Sequence, residues 1–201
     1  MRKNGWDREI FALVAEGVPI VGICGGFQML GKKICDPARV ESLSGEAPGL
    51  GLLDVTTTFN PQKTTWQARG EVCGGGDLLA ACKAQEVAGY EIHMGESVRG
   101  SGVPPAFRLR RDDDSGQEIL DGAVSETGLI FGTYLHGLFD ADEFRRTFLN
   151  QLRLRKGLFP LPASYAFWRS REEACNKLAR LVRENLDMAR IYQLLGLPGK
   201  R

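Results

Sequence analysis

Histidine is nearly absent from this chain: 201 residues contain two, His93 and His136. Any chemistry that needs an imidazole is thereby a binary choice. An excess of one charge is missing too. Twenty-six Lys and Arg face 25 Asp and Glu, a formal net charge of +1, so nothing suggests nucleic acid or an anionic membrane as partner. No apolar run approaches the roughly 20 residues of a membrane span. The opening Met-Arg-Lys-Asn-Gly-Trp is not followed by a signal-peptide core, and a cytoplasmic location is expected. The five cysteines, Cys24, Cys35, Cys73, Cys82 and Cys175, are odd in number and contain no Cys-x-x-Cys pair. Reduced thiols are expected, with no disulfide framework and no metal site. No Gly-Lys-Ser/Thr follows the glycines at 74–76, so that run reads as a turn and not as a phosphate loop. Internal repeats and low-complexity tracts are also lacking.

What is present is ordinary globular material, 43% hydrophobic and 25% charged, long enough for a sizeable core. The rest is organised around residues 18–31. A β-branched apolar run follows Gly17-Val18-Pro19 and reads as a buried strand. A helix then begins, with Phe27 and Leu30 turned inward. Between them stands Cys24, flanked by Gly22, Gly25 and Gly26. A side chain at a sharp strand-to-helix turn occupies strained backbone space and needs small neighbours, the physics of the nucleophile elbow. A helix N-terminus there offers its dipole to a thiolate and its free N–H groups to an oxyanion. The plainer reading makes Cys24 a small buried hydrophobe at a tight turn.

Taken in order, residues 6–17 predict a helix with a one-face stripe, the only element ahead of the elbow strand. The elbow helix is expected to close at residues 34–37, where Pro37 enforces a break. Residues 41–49 read as loop and 50–59 as a strand ended by Asn60-Pro61, with a further strand within 62–71. Residues 78–87 do not separate helix from strand. Residues 89–95 are a short strand, 97–105 a loop, 107–110 a strand and 110–116 a charged hairpin turn. Residues 129–135 predict a strand interrupted by Gly132, delivering His136 at its end. An amphipathic helix spans 142–154. Residues 157–162 form a linker, and 170–197 a long helix with a possible break. The domain expectation is 1–156 for the main body and 157–201 for a C-terminal helical extension. Strand and helix alternate, with a strand-rich stretch between, which argues for an α/β fold with an antiparallel extension.

His136 falls at the C-terminal end of its strand, the edge where catalytic groups gather in parallel α/β sheets and where Cys24 also falls. A strand-end histidine can equally be a hydrogen-bonded core residue. Paired with the elbow, it suggests a Cys–His couple in which imidazole takes the thiol proton and returns it to a leaving amine. A third, orienting group is commonly present. Leu138 supplies no carboxylate, which leaves Asp140 and Glu91 as candidates.

Gly22, Cys24, Gly26 and Gln28 fill a Gly-x-Cys-x-Gly-x-Gln pattern that resembles the nucleophile motif of triad-type, class I glutamine amidotransferases. Met29-Leu30-Gly31, Asp36-Pro37, residues 49–53, residues 89–95 (Gly-Tyr-Glu-Ile-His-Met-Gly) and residues 134–137 (Tyr-Leu-His-Gly) extend the likeness. They resemble the C-terminal glutaminase domain of the cobyric acid synthases over nearly the whole chain, tail helix included. The resemblance implies a flavodoxin-like sheet with an antiparallel extension. It implies that Cys24 attacks the glutamine amide and forms a glutamyl thioester while His136 moves the proton. Gly25 N–H would be an oxyanion donor and Gln28 would help hold glutamine. Residues 92–95 would line the substrate pocket, which makes His93 and Gly95 lining groups and not the base. The family lacks the acid two residues past its histidine, consistent with Leu138.

The implied partners are glutamine and, through a synthetase domain not present in this chain, a corrin substrate. That domain would use ATP and Mg²⁺; no cofactor is implied for this chain itself. The ammonia would amidate corrin carboxylates, taking adenosylcobyrinic acid a,c-diamide to adenosylcobyric acid. Against the family pattern the first strands of the sheet are missing, and with them the glycine loop expected to give a second oxyanion N–H. One such donor is worth about 10²–10³ in rate, so the chain alone is expected to be a poor catalyst. Alternatives are the glutaminase of a different amide ligase, such as one amidating cell-wall lipid II, and a non-catalytic scaffold that binds a partner. The scaffold predicts loss of Cys24 or His136, and both are present. A thiol hydrolase of the same broad fold leaves Gln28 and residues 90–93 unexplained.

Overall fold

The computed structural model describes residues 1–113, 116–163 and 166–197. It divides into two compact units, Met1–Ala163 and Ser164–Arg201. The first opens with α1 (Trp6–Ala15), β1 (Ile20–Ile23), α2 (Gly25–Leu30), β2 (Lys33–Cys35) and β3 (Glu46–Pro48). A long hairpin follows, β4 (Val55–Val72), the one-turn α3 (Gly76–Leu79) and β5 (Glu86–Arg99). Then come β6 (Phe107–Arg111), β7 (Glu118–Asp121), β8 (Ala123–Val124), β9 (Ile130–Thr133), β10 (Leu135–His136) and α4 (Asp142–Arg155). The second unit holds α5 (Phe167–Asn185) and α6 (Met188–Leu194), separated at Leu186-Asp187, so the long tail helix is in fact broken.

Two sheets result. One has the order β1-β9-β8, with β1 and β9 parallel. The other runs β10-β5-β4-β2-β3, with β6 and β7 attached to β4. The predicted α/β class with an antiparallel extension is present, divided between two sheets. One aromatic core, Phe107, Phe131, Phe144 and Phe148, is sealed by α4. Those phenylalanines of α4 stand four residues apart, the spacing that puts both on one face. A second core gathers Phe27, Leu30, Leu53, Val55, Ile130 and Tyr134. In α1, Val14 packs against that second core, while Trp6, Phe11 and Leu13 stay exposed.

Several predicted boundaries move for physical reasons. The elbow helix stops at Leu30, because a Cβ on Gly31 would lie 2.7 Å from the Val55 carbonyl oxygen. That close approach turns the chain into β2 beside β4, with Lys32 N–H donating to Val55 O at 2.8 Å. Residues 33–35 are therefore strand and not helix end. Residues 46–48 add a short strand to the expected loop. Asn60-Pro61 does not end β4. It falls in the register shift between Phe59 and Thr64, where a residue without an N–H is tolerated. β5 likewise runs on to Arg99 through part of the expected loop. Part of the expected 110–116 turn lies outside the described residues. Of the glycines at 74–76, Gly74 serves close packing, since a Cβ there would meet Val124, Ala106 and Leu79 at 3.0–3.1 Å. Gly76 takes a positive φ of 82°, while a Cβ on Gly75 would have nothing within 4 Å.

The largest revision concerns the strand carrying His136. Gly132 does not interrupt it; Gly132 pairs with Gly22 inside β9, and a Cβ there would stand 2.8 Å from Phe27 Cγ. The break is at Tyr134, where the chain leaves one sheet and joins the other. Asp121, buried at the end of β7, ties this corner. Its carboxylate accepts from Thr133 Oγ1 and from Tyr134 N–H at 3.2 Å, while Leu135 N–H donates to Thr133 Oγ1 at 2.9 Å. Burial pushes the Asp121 carboxyl up to about 6, against the opposing pull of those hydrogen bonds.

Two outcomes follow. Gly132→Ala forces a methyl into the fully buried Phe27 ring and should cost about 1–3 kcal/mol in urea unfolding; an unchanged midpoint contradicts this packing. The second concerns pH. Below about pH 4 Asp121 is protonated folded or unfolded, and between about pH 4 and 6 only the folded form keeps its proton. Wild-type stability should therefore fall, relative to Asp121→Asn, by up to about 3 kcal/mol as pH rises through that window. Parallel stability curves for the two proteins would refute it.

Candidate active site

β1 is four apolar residues, Ile-Val-Gly-Ile, paired in parallel with β9 from Ile20↔Ile130 to Ile23↔Thr133. At its end the Cys24 N–H donates to Thr133 O at 2.9 Å. Cys24 itself has φ 53° and ψ −114°, a positive φ that a side chain rarely adopts. Its carbonyl accepts from Gln28 N–H at 3.1 Å as α2 begins. The flanking glycines divide by role. A Cβ on Gly22 would lie 2.5 Å from Leu30 Cδ1 and 2.8 Å from Gly26 O, so the helix can fold back on the strand only over glycine. Gly25 and Gly26 have nothing within 4 Å of an added Cβ. Their bareness leaves open space beside the thiol instead of relieving a clash. The thiol is half-buried, and Sγ donates to Ile92 O at 3.4 Å.

His136 reaches the same edge by another route. It lies three residues past Thr133, at most about 11 Å of chain from the residue that receives the Cys24 N–H. β10 pairs antiparallel with β5, Leu135↔Glu91 and His136↔Tyr90. Thus Tyr90 faces the histidine, while Ile92, two residues on, accepts the thiol hydrogen bond. Residues 90–92 of β5 are the common neighbour of both groups. The His136 and Tyr90 rings are nearly parallel, 9° between planes and 5.7 Å between centroids. His136 Nε2 is buried and has no hydrogen-bond partner among the described residues.

Neither suggested carboxylate orients His136. Glu91 is buried, accepts from Arg111 Nε at 2.6 Å and lies 3.7 Å from His93 Nε2. Burial opposes its charge, but the nearby His93 and the hydrogen-bonded Arg111 hold its carboxyl below the usual range; the His93 Nε2 itself is buried without a hydrogen-bond partner among the described residues. Asp140 lies near Gly137 and makes no hydrogen bond to His136 among the described residues. His93 is also spoken for: Nδ1 pairs with Gly95 O at 2.7 Å, and its ring stacks on Tyr134 at 3.8 Å. Gln28 is buried and donates from Nε2 to Tyr134 Oη at 3.2 Å. That hydroxyl pairs with Ser97 Oγ, which continues to Thr57 Oγ1, each at 2.7 Å. Gly95 packs on this chain of hydroxyls, where an added Cβ would lie 2.9 Å from Gln28 Nε2.

A cavity of about 480 Å³ opens on this side, lined by Phe27, Glu91, His93, Arg111, Asp121 and Tyr134 among others. Cys24 and His136 do not line it. The predicted residues therefore separate into Cys24 and His136, which meet residues 92 and 90 of β5 in turn, and a polar group around Gln28, His93 and Gly95. Tyr90, Tyr134 and Asp121 were missed as candidates, although the first two lie inside motifs already singled out. Among the described residues, no group of three or more His, Cys, Asp or Glu is placed to hold a metal ion, and no helix is long and apolar enough to cross a membrane.

Residues 1–144 match the CobB/CobQ-like glutamine amidotransferase domain. The chain is 44% identical over 204 residues to cobyric acid synthase of Pelotomaculum thermopropionicum, covering 99% of this chain and 39% of the relative. It is 45% identical over 199 residues to that of Caldanaerobacter subterraneus subsp. tengcongensis, covering 97% and 39%. The chain thus spans about two fifths of the length of these relatives. Among solved structures, PurLQS from Thermotoga maritima is similar in fold, with a TM-score of 0.50 and 21% identity, covering 73% of this chain and 68% of that chain. An α/β fold of the flavodoxin-like, class I amidotransferase kind accounts for the parallel β1–β9 pair and its elbow. With the family match covering residues 1–144, the chain belongs to the CobB/CobQ-like glutamine amidotransferase family.

Proposed function

We propose that this chain is the glutaminase part of a cobyric acid synthase, releasing ammonia from glutamine through a Cys24 thioester. The observation that carries the reading is the strained Cys24 elbow hydrogen-bonded to Thr133, three residues before His136. The Cys24 sulfur attacks the side-chain carboxamide carbon of glutamine, and the thiol proton passes to His136. The tetrahedral oxyanion takes a hydrogen bond from the Gly25 N–H at the half-buried start of α2. Collapse expels the amide nitrogen, which leaves as ammonia with the proton from His136. Water, deprotonated by the same imidazole, then adds to the glutamyl thioester; glutamate departs and Cys24 regains its proton. Gln28, His93 and Gly95 shape the wall on which glutamine lies.

The ammonia is used elsewhere. ATP with Mg²⁺ would activate corrin carboxylates on a synthetase domain outside this chain, in the step from adenosylcobyrinic acid a,c-diamide to adenosylcobyric acid; no residue described here takes part in that activation. Support comes from the relatives, named cobyric acid synthase and about 2.5 times longer. The free edge of β1 is consistent with such an arrangement. It pairs on one side only among the described residues, and an apolar parallel strand ordinarily has neighbours on both. A cytoplasmic location fits this biosynthetic role.

The test is labelling with the glutamine analogue diazo-oxo-norleucine followed by peptide mass spectrometry. Cys24 should be alkylated, with Cys35, Cys73, Cys82 and Cys175 spared. Cys24→Ala should abolish labelling, and His136→Ala should slow it about 10²–10⁴-fold. Unlabelled Cys24, or equal labelling of another thiol, refutes the proposal. Glutaminase turnover should rise when the N-terminal part of a relative is added; full turnover by the chain alone contradicts its dependence on that part.

A further inference from the structure

The imidazole of His136 has no carboxylate to orient it: among the described residues it makes no side-chain hydrogen bond, and its buried Nε2 is unpartnered. What touches it is aromatic. Tyr90 is the residue directly opposite on β5, with its ring 9° from coplanar at 5.7 Å. We infer that Tyr90 is the positioning residue for His136, replacing the acid of a catalytic triad by a flat aromatic wall; this rests on the glutaminase reading above.

Three features fit that role. The backbone beneath the pair is fixed by close approach, because a Cβ on Gly89 would lie 3.0 Å from the His136 carbonyl carbon and 3.1 Å from Leu135 Cδ1. The β5–β10 ladder thus sets where the histidine Cα sits, and the ring of Tyr90 restricts how the imidazole turns about it. Tyr90 is also half exposed, 47%, and belongs to neither hydrophobic core. Its removal should leave no core cavity, so a structural role predicts little effect. Finally, the same strand fixes the thiol two residues on, through Ile92 O. A rigid β5 therefore sets both partners from one ruler. Loss of a well-held geometry typically costs about tenfold to a hundredfold in rate without loss of binding.

The experiment uses the full chain and two variants, Tyr90→Leu and Tyr90→Phe. The rate and saturation of Cys24 labelling by diazo-oxo-norleucine are measured separately, and long-range proton–nitrogen correlation spectra report both imidazoles. Tyr90→Leu should lower the maximal labelling rate at least about tenfold and leave half-saturation within about twofold. Tyr90→Phe keeps the wall and should restore the wild-type rate. In the spectra the His136 ring signals should broaden in Tyr90→Leu as the ring samples several orientations, with His93 unchanged as the internal control of folding. Wild-type rate and unbroadened His136 ring signals in Tyr90→Leu would overturn the assignment. A Tyr90→Phe variant as slow as Tyr90→Leu would overturn it too. If wild-type Cys24 is not labelled at all, the glutaminase reading fails, and the His136 ring signals in Tyr90→Leu alone then decide whether Tyr90 holds the ring.

Discussion

One backbone hydrogen bond, from Cys24 N–H to the Thr133 carbonyl, fixes the relation between two segments more than a hundred residues apart. It extends the parallel β1–β9 ladder by one step beyond the strand, just where Cys24 turns into positive φ. A single such bond is worth only about 0.5–1.5 kcal/mol net, so its part is placement. Stability comes from the two cores on which the ladder rests, the Phe107, Phe131, Phe144 and Phe148 cluster and the one around Phe27 and Tyr134. Those cores make the position of the bond hard to change.

From Thr133 the chain has one residue, Tyr134, in which to leave one sheet for the other before Leu135 and His136 pair with β5. Asp121 closes that corner from beneath through Thr133 and Tyr134. β5 then acts on both sides of the site. Its Ile92 carbonyl receives the thiol, its Tyr90 faces the imidazole, and its Glu91 and His93 turn toward the polar cavity. Strand alternation explains why the Tyr90 side chain parts from those of Glu91 and His93, while the Ile92 contact is a main-chain one. The thiol follows a strand of one sheet and the imidazole ends a strand of the other, and the hydrogen-bonded chain Gln28–Tyr134–Ser97 runs beside the cavity.

The elbow was legible in the sequence because its constraint is local. Gly22 and the apolar run before it demand a strand turning sharply into a helix, and Gly22 does sit under Leu30 and Gly26. The amphipathic helix over α4 was legible for the same reason; His136 was placed at a strand end, but of a strand that breaks at Tyr134 and re-forms as β10 in the other sheet. The contacts that set boundaries were not. β2 exists because Gly31 comes against the Val55 carbonyl, and β4 runs past Pro61 because β5 pairs with it on both sides of the irregularity. Gly132 looked like an interruption, yet its lack of a side chain makes room for the Phe27 ring. Asp36-Pro37 carried family likeness, and the structure shows what Asp36 does locally: its buried carboxylate accepts from the N–H groups of Val40, Glu41 and Ser42. Such pairings across the fold leave no periodic trace in the chain.

The central claim is that a thiol just past β1 and an imidazole on β10 work as one couple. A crystal structure of the chain alkylated by diazo-oxo-norleucine tests it most directly. The account predicts the adduct on Cys24 Sγ with a ring nitrogen of His136 within hydrogen-bond reach of the sulfur or the carbonyl-derived oxygen, at about 2.6–3.5 Å. An adduct with the His136 ring turned away, or attended by His93 instead, would contradict it.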